Sequence, residues 1–276
     1  MIQHDPITKE PYIRLPAPLS HIILTPPRLE EDITNNNNNN NNNNEAGNPP
    51  TGDLSAAITA LNDPRVFLWL EGPPYPYLAD HASSFIRRSH AECQRILRSA
   101  EQEQEQGKWA DGCPFTDIRD TSLPSPSPSS GPVESGDAKS IAQASKIGDF
   151  KVVRYPFYEL ARGSDEQRDA RLRNEALTAG DEAIEWSVGF WLAPSHHRQG
   201  IMSAALQSII SEWAIPRMNA WTIGACTFVE NTGSKKTLEK CGFVFQETII
   251  QGSAELPEAK GGGRRDLHVL KWRRNI

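Results

Sequence analysis

From Ile184 to Leu192 the chain alternates: Ile184, Trp186, Val188, Phe190 and Leu192 fall on one side of the pattern, and Glu185, Ser187, Gly189 and Trp191 on the other. A period of two is that of a strand, whose successive side chains point to opposite faces. After a polar turn, Ile201, Ala205, Leu206, Ile209, Ile210 and Trp213 recur along one helical face. This spacing predicts a helix over 201–215, ended by Pro216. A second strand and helix follow at 221–228 and 232–241, with Gly242 as the stop. Elsewhere the pattern predicts strands at 21–26, 114–119, 146–154, 243–250 and 266–272, and helices at 53–62 and 81–105 with Asp53 and Asp80 as N-cap candidates. The strand-helix-strand units of the second half favour parallel pairing and the neighbouring runs elsewhere favour hairpins, so the sheet is expected to be mixed.

Between the strand at 184–192 and its helix lies Ala193-Pro194-Ser195-His196-His197-Arg198-Gln199-Gly200. A basic turn with glycine at its exit leaves the first helical amides unpaired, where an anion can take them. The chemistry this suggests is a phosphate ester, although many α/β proteins carry a polar turn here and bind nothing.

Composition narrows the picture. Asn35–Asn44 is a pure asparagine run with nothing apolar to bury, and residues 122–137 set Pro124, Pro126, Pro128 and Pro132 among serines. We expect a single domain over 21–274 with low-complexity insertions at 35–50 and 121–143 and a polar insertion at 161–182 that forms a short exposed helix. The formal net charge of −6 argues against a general nucleic-acid binder. No run of 18 apolar residues and no secretory signal pattern is present, so the expectation is a cytoplasmic protein without a membrane partner. Cys93, Cys113, Cys226 and Cys241 have no metal-ligand or redox spacing, so reduced thiols and no metal are expected.

Two segments together carry a resemblance. Trp191-Leu192-Ala193-Pro194 precedes the basic turn, and Asn231-Thr232-Gly233-Ser234 runs into Leu238-Glu239-Lys240-Cys241-Gly242-Phe243 after the next strand. In this order they resemble the GCN5-related N-acetyltransferases, above all the branch with the ribosomal-protein acetyltransferases and many fungal relatives. The likeness is strong from 185 to 248; Thr25-Pro26-Pro27-Arg28-Leu29, Leu61-Asn62-Asp63-Pro64 and Ile147-Gly148 extend it more weakly. It implies an α+β fold with a central mixed, mostly antiparallel sheet of about seven strands flanked by about four helices. It also implies acetyl-CoA as cosubstrate, lying where the strands 184–192 and 221–228 splay apart. On that likeness Trp191, Leu192 and Ala193 meet pantetheine, His197, Arg198, Gln199, Gly200, Ile201 and Met202 the pyrophosphate, and Asn231 and Ser234 the lower arm. Of the family's loop pattern only Gly200 matches outright, with His197 and Met202 as departures.

Acetyl transfer needs a neutral amine, attack on the thioester and a proton for the departing thiolate. Glu185 and Ser187 share one face of their strand and are the catalytic candidates from that side, with Ser234 from the helix after Asn231. Wider relatives place a tyrosine where this chain has Leu238, which cannot donate a proton. Three readings stand: an N-acetyltransferase acting on a small amine, an amino acid or a protein amino terminus; a CoA-binding protein without catalysis; and a non-enzymatic interaction module. The segments at 63–80 and 251–264 are expected to build the acceptor side, and nothing in the sequence selects the acceptor or the oligomeric state.

Overall fold

Nine strands form one sheet in the computed structural model, which describes residues 1–29, 52–104, 109–123 and 141–275. They are β1 Ile2–His4, β2 Pro11–Arg14, β3 Ile22–Thr25, β4 Asp117–Asp120, β5 Ser145–Arg154, β6 Glu185–Leu192, β7 Thr222–Phe228, β8 Val244–Ile249 and β9 Leu267–Arg273. Their spatial order is β1-β2-β3-β4-β5-β6-β7-β9-β8. Each neighbouring pair is antiparallel except β6 and β7, which are parallel. The mixed, mostly antiparallel sheet is therefore as expected, with two strands more than about seven. The additional pair, β1 and β2, comes from residues before the expected start at 21.

The helices are α1 Gly52–Leu61, α2 Pro64–Phe67, α3 Ala79–Gln104, α4 Asp165–Ala176, α5 Ile201–Ile209, α6 Ile215–Met218 and α7 Thr232–Lys240. The expected exposed helix within 161–182 is α4, capped by Ser164, whose hydroxyl accepts from the Gln167 N–H. The asparagine run and residues 124–137 lie outside the described residues.

Three expectations about helix ends need correction, the first being Asp80, which lies inside the first turn of α3 and not at its cap. Pro216 does not stop the helix at 215. A π-helical turn, Ile210–Ala214, lies between α5 and α6, and the Ile215 N–H reaches the Ile210 carbonyl. Pro216 then falls in the first turn of α6, where no N–H is required. The stop is Asn219, at φ 51°, with the Ala220 N–H donating to the Ala214 carbonyl. Asp53 is not a cap either. It lies inside α1, buried, and accepts from Arg119 Nη1 at 2.6 Å.

The sheet's two faces are covered by different elements. Trp186, Val188 and Leu192 of β6 pack with Ile201, Leu206, Ile209 and Trp213 on one face. Trp191 packs with Ala57, Ala60 and Leu61 of α1, and with Val66, Tyr77 and Ala82, on the other. The alternation read from the sequence thus sorts β6 correctly between two cores. Beneath α1 sits a buried charge cluster: Arg119 also binds Asp117 and Thr25 at 2.9 and 2.8 Å, and Lys146 binds Asp117 at 2.8 Å and Asp149 at 3.5 Å. These groups neutralise one another where little water reaches, and so tie α1 to β3, β4 and β5.

Candidate active site

The site begins where β6 and β7 part. They pair only at Glu185 with Thr222, Trp186 with Ile223 and Ser187 with Gly224. Beyond that point β6 stays in register with β5 as far as Leu192, and β7 with β9 as far as Phe228. In an antiparallel ladder alternate residues turn their backbone groups to the partner. The Ala193 N–H donates to the Ile147 carbonyl, so Gly189 and Trp191 also face β5, and Val188, Phe190 and Leu192 face the gap. On the other side the Val229 N–H donates to the Asp266 carbonyl, which leaves Cys226 and Phe228 facing the gap from β7. Gly224, the last paired residue, has no room for a side chain: a Cβ would stand 2.3 Å from the Tyr155 ring.

The turn after β6 is anchored from below. His196 Nε2 lies 3.3 Å from Asp120 Oδ2 on β4, and its Nδ1 lies 2.8 Å from Ser195 Oγ. His197 donates its Nε2–H to the Leu192 carbonyl at 2.7 Å, so that nitrogen is not the one it offers to an anion. Arg198 and Gly200 have φ of 64° and 77°, which brings the chain round into α5. The first main-chain bond of that helix is Ala204 N–H to the Gly200 carbonyl, so the amides of Ile201, Met202 and Ser203 have no helical partner. Opposite, Asn231 caps α7, its side chain accepting the Ser234 N–H at 3.1 Å. The same residue also faces the cavity.

A cavity of about 740 Å³ runs along the gap from the α5 amides to the loop after α2. Of the residues expected to meet a cosubstrate, Trp191, Leu192, His197, Arg198 and Gly200 line it from β6 and the turn. Ile201 and Met202 line it from α5, and Asn231 and Ser234 from α7. Ala193 and Gln199 are not on its wall. The Ala193 amide is bound to β5, and the Gln199 side chain folds back to donate to the Ser195 carbonyl at 3.0 Å.

The catalytic candidates separate. Glu185 is not on the cavity wall; it accepts from Lys271 Nζ at 2.8 Å, and Lys271 also binds Glu159 at 3.1 Å. Ser187 is buried, with its hydroxyl 3.3 Å from the Tyr158 hydroxyl. Ser234 lines the cavity on the α7 side. Tyr158, Cys226 and Glu71, none of which the sequence reading singled out as a site residue, also lie on the cavity wall, Glu71 within the segment 63–80 expected on the acceptor side. Burial pushes the Tyr158 hydroxyl well above the usual phenol range and the Cys226 thiol up to about 12, so both stay protonated at neutral pH. Leu238 lines the wall as a buried apolar residue. Among the described residues no group of three His, Cys, Asp or Glu could hold a metal ion, and no helix is long and apolar enough to cross a membrane.

Comparison with known proteins bears on this geometry. Residues 164–244 match the family model described as acetyltransferase (GNAT) domain. Over 65 residues the chain is 40% identical to an uncharacterized N-acetyltransferase, YjdG, of Bacillus subtilis (strain 168), a match over 24% of this chain and 38% of that protein. Among solved structures, a ribosomal L7/L12 α-N-protein acetyltransferase in complex with coenzyme A superposes with a TM-score of 0.50 at 12% identity, covering 95% of this chain and 97% of that one. A GNAT-family acetyltransferase from Bacillus anthracis gives a TM-score of 0.51 at 11% identity, over 95% and 98%. By segment, residues 164–244 read as a GNAT acetyltransferase domain, and by fold the chain is built as the GNAT acetyltransferases are.

Proposed function

We propose that the chain is an acetyl-CoA-dependent N-acetyltransferase that modifies a primary amine of a small molecule, an amino acid or a protein amino terminus, and that it works in the cytoplasm. The observation that carries this reading is the parting of β6 and β7 after Ser187 and Gly224, with a continuous cavity on both sides of the gap. Unpaired main-chain groups at Phe190 and Cys226 suit a cosubstrate arm rich in amides. The amides of Ile201, Met202 and Ser203, at the positive end of α5, suit a diphosphate. Acetyl-CoA supplies the activated acetyl group as a thioester. The chain orients it along the gap, keeps water from it with Trp69, Leu70 and Phe228, and receives the amine at the far end of the cavity. The same residues would serve a CoA-binding protein without catalysis, a reading that Leu238 favours because it has no proton to give.

A panel of amines and short peptides with acetyl-CoA, followed by thiol release, separates the two. Amine-dependent release is expected. Binding without release from any amine would leave only the coenzyme site.

A further inference from the structure

If the chain acetylates amines, one group must take the proton of the ammonium that arrives at neutral pH. Glu185 does not suit this task, because Lys271 holds it away from the cavity wall. Two carboxylates line the wall: Glu230 stands beside the Asn231 cap of α7, and Glu71, towards the opposite end, lies in the loop between α2 and α3. That loop is pinned. Lys260, 1% exposed, donates to the Leu70 and Pro73 carbonyls at 2.6 and 2.5 Å, and Arg265 donates to the Leu68 carbonyl at 3.1 Å. Glu71 itself is only partly buried and accepts from Arg162 at 2.6 Å, Arg162 being supplied by the segment between β5 and α4. The same segment delivers Tyr158, held by Ser187 at the point where β6 and β7 separate. The charged and titratable groups around Glu71 are Arg162, Lys260, Tyr158 and Cys226. Trp69, Leu70, Phe228 and Leu267 make the surrounding wall apolar and aromatic.

We propose that Glu71 and Tyr158 form the acceptor-amine site, with Glu71 as proton acceptor and Tyr158 as hydrogen-bond donor, and that the acceptor is a primary ammonium carried on an apolar or aromatic group. The inference rests on the acetyltransferase reading. One N–H proton of the ammonium passes to the Glu71 carboxylate and on to solvent. The freed nitrogen lone pair forms the C–N bond at the thioester carbonyl, and the C–S bond breaks with its electron pair on sulfur. The second proton lost by nitrogen ends on that sulfur as the thiol. Tyr158, protonated throughout, donates to the carbonyl oxygen while negative charge develops there. Arg162 holds Glu71 in the absence of an ammonium and gives it up when one arrives.

The test uses the full chain with acetyl-CoA and 2-phenylethylamine, read by thiol release, beside the acetyl-CoA-induced rise in Tm. Glu71→Gln should keep the Tm rise and lose roughly 100-fold in kcat at pH 7, the scale of a general base. The deficit should narrow towards pH 10, where an alkyl amine arrives already neutral. Arg162→Ala should keep or raise turnover. Tyr158→Phe should keep the Tm rise and lower kcat about tenfold or more at every pH. A Glu71→Gln turnover within about threefold of the parent at pH 7 overturns the assignment. So does an equal, pH-independent loss in Glu71→Gln and Arg162→Ala, which would make the pair a structural strap. A parent that acetylates other amines but not 2-phenylethylamine overturns the acceptor chemistry alone. A parent that binds acetyl-CoA and acetylates nothing overturns both this proposal and the acetyltransferase reading beneath it.

Discussion

Gly200 shows how much can hang on one residue. Its φ of 77° lies in the left-handed region, yet a Cβ there would meet nothing within 4 Å. The glycine is therefore required by the backbone and by whatever approaches from the cavity, and not by crowding within the protein. Gly200→Val should cost on the order of 1–2 kcal/mol of stability from the left-handed conformation alone. It should also weaken acetyl-CoA binding far more than Ser195→Ala, because the branched side chain would stand beside the amides to which the proposal assigns the diphosphate. Calorimetric titration of both variants, with circular dichroism as the folding control, measures this. Parent-like affinity in a folded Gly200→Val protein would remove the diphosphate from the start of α5. At this scale the sequence was informative where the chemistry is local. Gly200, Ile201 and Asn231 could be picked out because turn, helix start and cap are adjacent in the chain. Glu71 and Tyr158 could not, because they are far apart in the sequence and nothing but the fold brings them together.

At the scale of elements, the period-two run of β6 and the helical spacing of α5 gave their positions directly, since each buries one face against a continuous core. The π-turn before α6 was hidden because Pro216 reads as a breaker whether or not an extra residue has been inserted ahead of it. The cluster that fastens α1 to the sheet was hidden too, because Asp53 looks like a cap until Arg119 is seen beside it. That cluster has a pH consequence. Burial, opposed by Lys146 and reinforced by Asp117, raises the Asp149 pKa to about 6. An acid whose folded pKa is raised binds its proton more tightly in the native state. Its contribution is fully present below the unfolded value and is lost as pH rises through about 6. The stability of Asp149→Asn minus that of the parent should therefore increase between about pH 4 and 6 and level off above, by on the order of 2–3 kcal/mol. Asp53 works in the opposite sense: burial raises its pKa, but Arg119, Lys146 and Arg28 together bring it below the ordinary value, so its contribution disappears only in acid. Denaturant unfolding of both proteins across that range checks the sign. A flat difference would show that Asp149 stays ionised in the native protein.

Across the whole molecule, the sheet is two antiparallel blocks joined by a single short parallel pairing, with strands β1 to β6 on one side and β7, β9 and β8 on the other. Three residue pairs hold the join, and the strands are then free to diverge because each is fully committed to its outer neighbour. The separation of the blocks opens one continuous cavity between the α5 amides and the loop after α2, the two ends to which the proposal assigns the diphosphate and the amine. This arrangement was foreseen only through the resemblance carried by residues 185–248; no pattern of apolar positions says that two neighbouring strands will part. The most direct test is residue-resolved amide hydrogen exchange with and without saturating acetyl-CoA. The account predicts slowed exchange at Phe190 and Leu192 on β6, at Cys226 and Phe228 on β7 and at Ile201 to Ser203 of α5, with β1 and β2 unchanged. Exchange that stays the same along both edges of the gap, in a protein to which acetyl-CoA demonstrably binds, would contradict it.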